Sequence, residues 1–176
     1  MMIRAWLAIV LLASALYALQ CPGGIPAAEV KAILKSHNVF RDNISKGKYI
    51  VKGKKMPAAK RKLPALKYDC GLETAAQAVA SECRNVHSSN RHYVGENLWS
   101  KSASSEEYGW PSLTFTLDLF YSGVDHATQM AWQNTTAIGC GIALCNEKKW
   151  AIVACQYNIT GNFLGAPIYV PKGGLV

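Results

Sequence analysis

Six cysteines carry the most specific chemistry in this 176-residue sequence: Cys21, Cys70, Cys83, Cys140, Cys145 and Cys155. All lie beyond an apolar leader, and an even number in an exported chain implies disulfides rather than free thiols. Oxidation removes the thiolate that a cysteine nucleophile requires. The sequence also lacks a His-Glu-x-x-His helix and a Gly-x-Ser-x-Gly elbow, so two common hydrolytic arrangements are missing.

Local geometry limits the pairing. Residues 140–145 and 150–155 read as two strands joined by the four-residue loop Asn146-Glu147-Lys148-Lys149. If Cys145 faces Trp150, then Cys140 faces Cys155. Opposed strand residues are about 4.5–5.5 Å apart, whereas Cys140 and Cys145 along one strand would be roughly 17 Å apart. Cys140 with Cys155 is therefore the preferred bridge. Between Cys70 and Cys83 the chain reads as an alanine-rich helix with Asp69 as its N-cap and Leu72, Ala75, Ala76, Val79 and Cys83 along one stripe. Thirteen helical steps cover about 20 Å, so these two cysteines cannot join each other. Each must pair with Cys21 or Cys145, and both connectivities remain open.

The elements that position these residues follow from periodicity and punctuation. Pro26 opens a helix in which Val30, Ile33, Leu34, His37, Phe40, Arg41 and Ile44 recur at three- and four-residue steps, and Gly47 closes it. On that apolar stripe His37 reads as a buried, hydrogen-bonded histidine; Trp132 and Tyr157 likewise read as core. Residues 113–117 alternate like a strand, and 125–132 suit a short helix. Helices and strands without regular βα alternation indicate an α+β layered domain.

The leader has one positive charge, Arg4, then an apolar run from Ala5 to Ala18 that ends in small residues before Gln20-Cys21-Pro22. This reads as a secretory signal peptide over residues 1–18, cleaved after Ala15 or Ala18, with a single domain over 19–176. No segment beyond it is apolar for long enough to span a membrane, so the mature chain is expected to be secreted and extracellular. Net charge is +8 for the whole sequence and one less, +7, without Arg4. Much of it lies between Lys46 and Lys62, a stretch with no acid. Such a run is either a solvated loop or a surface for anionic glycans or lipid head groups. Nucleic acid is excluded as a partner by the export signal and the absence of a recognition motif.

Four motifs in order then suggest a family. Asp125-His126-Ala127-Thr128-Gln129-Met130-Ala131-Trp132, continuing to Gly139-Cys140-Gly141, and residues 152–163, Ile152-Val153-Ala154-Cys155-Gln156-Tyr157-Asn158-Ile159-Thr160-Gly161-Asn162-Phe163, resemble two signatures of the cysteine-rich secretory protein, antigen 5 and pathogenesis-related 1 (CAP, or SCP) superfamily, with Ile159 where the family usually has proline or another of a few residues. His37-Asn38-Val39-Phe40-Arg41 and Gly95-Glu96-Asn97-Leu98 agree with two shorter ones. Tyr108-Gly109-Trp110 and the basic loop resemble the nematode venom allergen-like or activation-associated branch. The resemblance implies a three-layer α-β-α sandwich, and a host-interaction or immunomodulatory role with lipid or sterol binding, or a host protein as partner, rather than turnover.

The resemblance also implies a cleft in which His87, Glu96 and His126 hold a divalent metal, here zinc bound weakly. The fourth family ligand falls on Ser104, and the interval from Glu96 to Trp110 is too short for a helix that relatives carry. Two readings stand: a weak zinc site, or three groups that hydrogen-bond within a polar cleft. A hydrolase using His126 or Glu96 as general base is the enzymatic alternative. Of the three glycan acceptor patterns, at Asn43, Asn134 and Asn158, Asn43 is the expected site.

Overall fold

The computed structural model describes residues 21–51, 53–102, 124–146 and 149–174. The leader, Ser104, the Tyr108-Gly109-Trp110 motif and the strand expected over 113–117 lie outside the described residues.

Helix α1 (Ala27–Ser45) starts after Pro26, whose carbonyl accepts the first amides. It buries Val30, Ile33, His37, Phe40, Arg41 and Ile44 and ends at a left-handed Gly47. Each large apolar side chain on that stripe contributes about 1.5–3 kcal/mol by leaving water. A short antiparallel ribbon follows, β1 (Ile50–Val51) with β2 (Lys54–Lys55). Then come β3 (Lys67–Tyr68), α2 (Cys70–Ser81), β4 (Val94–Ser102), α3 (Val124–Ala131), β5 (Ala137–Cys145) and β6 (Trp150–Asn158).

The main sheet has the order β3-β5-β6-β4, with β3 parallel to β5 and the other pairs antiparallel. Alternation along the strands divides the core between its two faces. Ile138, Cys140, Ile142, Val153, Cys155 and Tyr157 pack with α1 and α3. Leu98, Cys145, Ile152 and Ala154 pack with Ala76, Val79 and Ala80 of α2. The domain is thus a three-layer α+β sandwich.

The hairpin has the expected register, Cys145 opposite Trp150 and Cys140 opposite Cys155, and Cys140 is bonded to Cys155. Of the two connectivities left open, the fold contains Cys21–Cys70 and Cys83–Cys145. Asp69 caps α2 as expected, its carboxylate accepting the Leu72 amide at 2.9 Å.

Two details of α2 differ from expectation. The helix ends at Ser81 rather than 83, because Cys83 turns to a φ of 55° to meet Cys145. Its buried stripe is Glu73, Ala76, Val79 and Ala80, while Ala75 is exposed. The rotation follows from Gly139 and Gly141 in β5. A Cβ on Gly139 would lie 2.1 Å from the Glu73 nitrogen, and one on Gly141 2.3 Å from the Gln77 Cα. The helix therefore rests on bare strand backbone, and Glu73 is fully buried against Gly23 of the N-terminal segment.

Arg41 organises the opposite layer. Buried in α1, it donates to the carbonyls of Pro64, Met130, Trp132 and Thr135 at 2.8–3.0 Å. Burial lowers its pKa to about 10. One planar guanidinium thus ties α1 to the turn between α3 and β5, a geometry that a lysine could not reproduce.

Candidate functional site

The segment after α2 folds back along β4 and brings two of the three expected groups together. Nδ1 of His87 donates to Oε1 of Glu96 at 2.8 Å. The Ser88 amide donates to the same oxygen at 3.0 Å. Oε2 accepts from the Ser88 hydroxyl at 2.8 Å and from Nε2 of Gln156 at 3.0 Å. A carboxylate offers about four lone-pair positions, and all four are taken.

The electrostatics agree with the geometry. Burial of the Glu96 side chain works to raise its pKa, but hydrogen bonds from Gln156, His87 and Ser88 together outweigh it and leave the carboxyl below its ordinary value. Arg91 adds positive charge, with Nη1 3.8 Å from Oε1. The acid is therefore held ionised with its lone pairs turned inward.

His126 sits half-buried in the first turns of α3. Its pKa is lowered, first by burial and then by the charge of His87, against an opposing pull from Asp125. The two imidazoles are thus electrostatic neighbours. Among the described residues, however, no three His, Cys, Asp or Glu side chains form a group that could hold a metal. In this arrangement Glu96 spends its hydrogen bonds on His87, Ser88 and Gln156 rather than standing with His87 and His126 as a three-ligand group.

Beside the pair lies an open groove of about 610 Å³ between the outer face of α2 and residues 84–91. Ala75, Ala78, Val79, Val86 and Val94 supply apolar wall, and the edge is polar, with Arg84 ion-paired to Glu82, Arg91 facing Glu96, and His87. Val86 is 64% exposed there. Sequence reading missed this groove, and with it Ser88, Gln156 and the arginines. Gln156 alternates with Cys155 and Tyr157, so its facing was legible, but its pairing opposite Glu96 depends on β4 docking against β6 from sixty residues away.

The other singled-out residues fall as follows. His37, Trp132 and Tyr157 are buried, as expected of core. Asn43 is half-buried within α1, while Asn134 and Asn158 are exposed, so accessibility does not single out Asn43 among the three acceptor patterns. No helix among the described residues is long and apolar enough to cross a membrane.

Comparison with known proteins agrees with this architecture. Residues 34–157 match the profile of CAP, the cysteine-rich secretory protein family. Venom allergen 3 of Solenopsis invicta is 32% identical over 177 aligned residues, which cover 85% of this chain and 75% of that protein. The solved structure of BmVAL-1 superposes with a TM-score of 0.80 at 31% identity, covering 85% of this chain and 86% of that one. A structure of NaASP2 with Zn2+ superposes with a TM-score of 0.74 at 27% identity, covering 87% and 91%. With the profile spanning most of its length and its fold superposing on those structures, the chain belongs to the CAP family, among homologues of the venom allergens and nematode venom allergen-like proteins.

Proposed function

We propose that this protein is secreted and works outside the cell as a non-enzymatic binding protein, presenting the groove beside His87 and Glu96 to an amphipathic ligand of the lipid or sterol class. The composition of that groove carries the reading: alanine and valine side chains form its wall, and its polar edge holds the Arg84–Glu82 ion pair and Arg91. An apolar body with a polar head suits such a surface. The host-facing, immunomodulatory setting implied by the family resemblance would follow from carrying or sequestering such a ligand.

Two further observations support binding over turnover. All six cysteines are in disulfides, which fits an oxidising compartment and leaves no thiolate. Glu96 has every lone pair engaged, and a general base needs one within reach of its substrate's proton.

The test is a titration of the purified mature protein with a fluorescent sterol and, separately, a fatty acid. Saturable binding of at least one is expected. Absence of saturable binding for both would overturn the reading and leave the fold untouched.

A further inference from the structure

The basic segment between α1 and β3 is not a plain solvated loop. Ile50 pairs with Lys55 and Val51 with Lys54, and all four are exposed. The ribbon is thus exposed on both faces. Its base is firmly held: Tyr49 packs edge-on against Phe40 with ring centroids 4.8 Å apart, the Met56 amide bonds the Tyr49 carbonyl, and the Tyr169 hydroxyl donates to the Pro57 carbonyl at 2.8 Å.

The fold also adds charge to this surface from the far end of the chain. Ala59 bridges to Pro171, the Lys60 amide bonds the Val170 carbonyl at 2.8 Å, and the Lys172 amide bonds the Ala58 carbonyl at 2.7 Å. Lys172 thereby joins Lys48, Lys54, Lys55, Lys60 and Arg61, all exposed. Asp42 compensates Lys46 and Lys62, at 2.6 and 3.7 Å. Of the other six cations, Lys48 also feels the charge of Asp42, and none forms an ion pair within 4 Å among the described residues.

We propose that this ribbon and its basic surround form a peripheral docking surface for anionic phospholipid bilayers. Charge complementarity selects an anionic partner, and the apolar residues select a bilayer. Ile50 is 61% exposed and Val51 42%, within the same ribbon as Lys54 and Lys55. Headgroup phosphates meet the lysines while two β-branched side chains enter the boundary beneath them, so that electrostatic and apolar contributions add. A sulfated glycan would use the lysines and leave Ile50 and Val51 in water.

The experiment is co-sedimentation of the mature protein with phosphatidylcholine vesicles, with and without a third of phosphatidylserine, at low and high salt. Binding is expected only to the anionic vesicles and is expected to weaken with salt. Each lysine near the surface contributes roughly five-fold to affinity, so Lys54→Gln with Lys55→Gln should lose about 25-fold. Ile50→Ser with Val51→Ser should lose several-fold while the salt dependence persists. All four positions are exposed, and unchanged thermal unfolding would confirm that the variants fold. No binding to anionic vesicles, equal binding to neutral ones, or full binding by the lysine variant would overturn the proposal. So would retention on heparin by a protein that ignores vesicles, which would assign the surface to glycans.

Discussion

The Tyr157 hydroxyl lies 3.1 Å from Nε2 of His37 in the buried layer between α1 and the sheet. Asn97 donates to the same hydroxyl at 3.2 Å, and Nδ1 of His37 lies 2.9 Å from the Ile33 carbonyl. The pattern has one consistent assignment: Nδ1–H donates to Ile33, and Tyr157 accepts from Asn97 and donates to a neutral Nε2. Burial is the main cause that lowers the His37 pKa to about 4, with the Arg41 charge helping and the Ile33 carbonyl opposing.

That shift predicts acid sensitivity. The unfolded imidazole titrates at about 6.5 and the folded one at about 4, so between these values the unfolded chain binds more protons and stability falls as pH falls. The full difference is about 3 kcal/mol, complete only below pH 4. Glu96, also depressed in the folded state, acts with the same sign at lower pH. Urea unfolding at pH 7 and pH 4.5 should show a lower midpoint in acid, and His37→Gln should flatten the dependence above pH 4.5. Equal midpoints in the parent protein would contradict the assignment.

Gly139→Ala should be severely destabilising, because the new methyl would meet the backbone of α2 at 2.1 Å and backbone cannot swing aside. A loss of about 3 kcal/mol is expected from the overpacking. By contrast, Gly53→Ala meets no atom of the described residues within 4 Å and is opposed by its φ of 77°, at a cost of about 1 kcal/mol. Chemical denaturation of the two variants should rank them in that order.

Arg41→Lys should cost about 3 kcal/mol, since one ammonium cannot serve four carbonyls spread over the turn between α3 and β5 and the segment before β3. Hydrogen exchange should report faster opening around residues 130–135 before the rest of the domain. Unchanged protection there would mean that the fork is not what holds the turn.

What the sequence disclosed and what it withheld divide along range. Cys140–Cys155 could be derived because both cysteines belong to one hairpin whose register follows from a four-residue loop. Choosing Cys21–Cys70 over Cys21–Cys83 required knowing where α2 lies on the sheet. Its orientation was misread because alanine-rich helices carry little contrast between faces; Gly139 and Gly141, on another element, decide which alanines are buried. The motif resemblance led to His87 and Glu96, yet not to their relation. Only the docking of β4 on β6 brings Gln156 to Glu96 and, with Ser88, fills the carboxylate's lone pairs.

The central claim is that the groove along α2 binds an amphipathic ligand, and Ala78→Trp tests it most directly. Ala78 is exposed and lines the groove, so an indole there should occupy ligand space without disturbing the core. Calorimetric titration of parent and variant with the same sterol or fatty acid should give saturable binding for the parent and at least a ten-fold loss for Ala78→Trp, with unfolding temperatures unchanged. Equal affinity in the two proteins would contradict the account and place any ligand elsewhere on the domain.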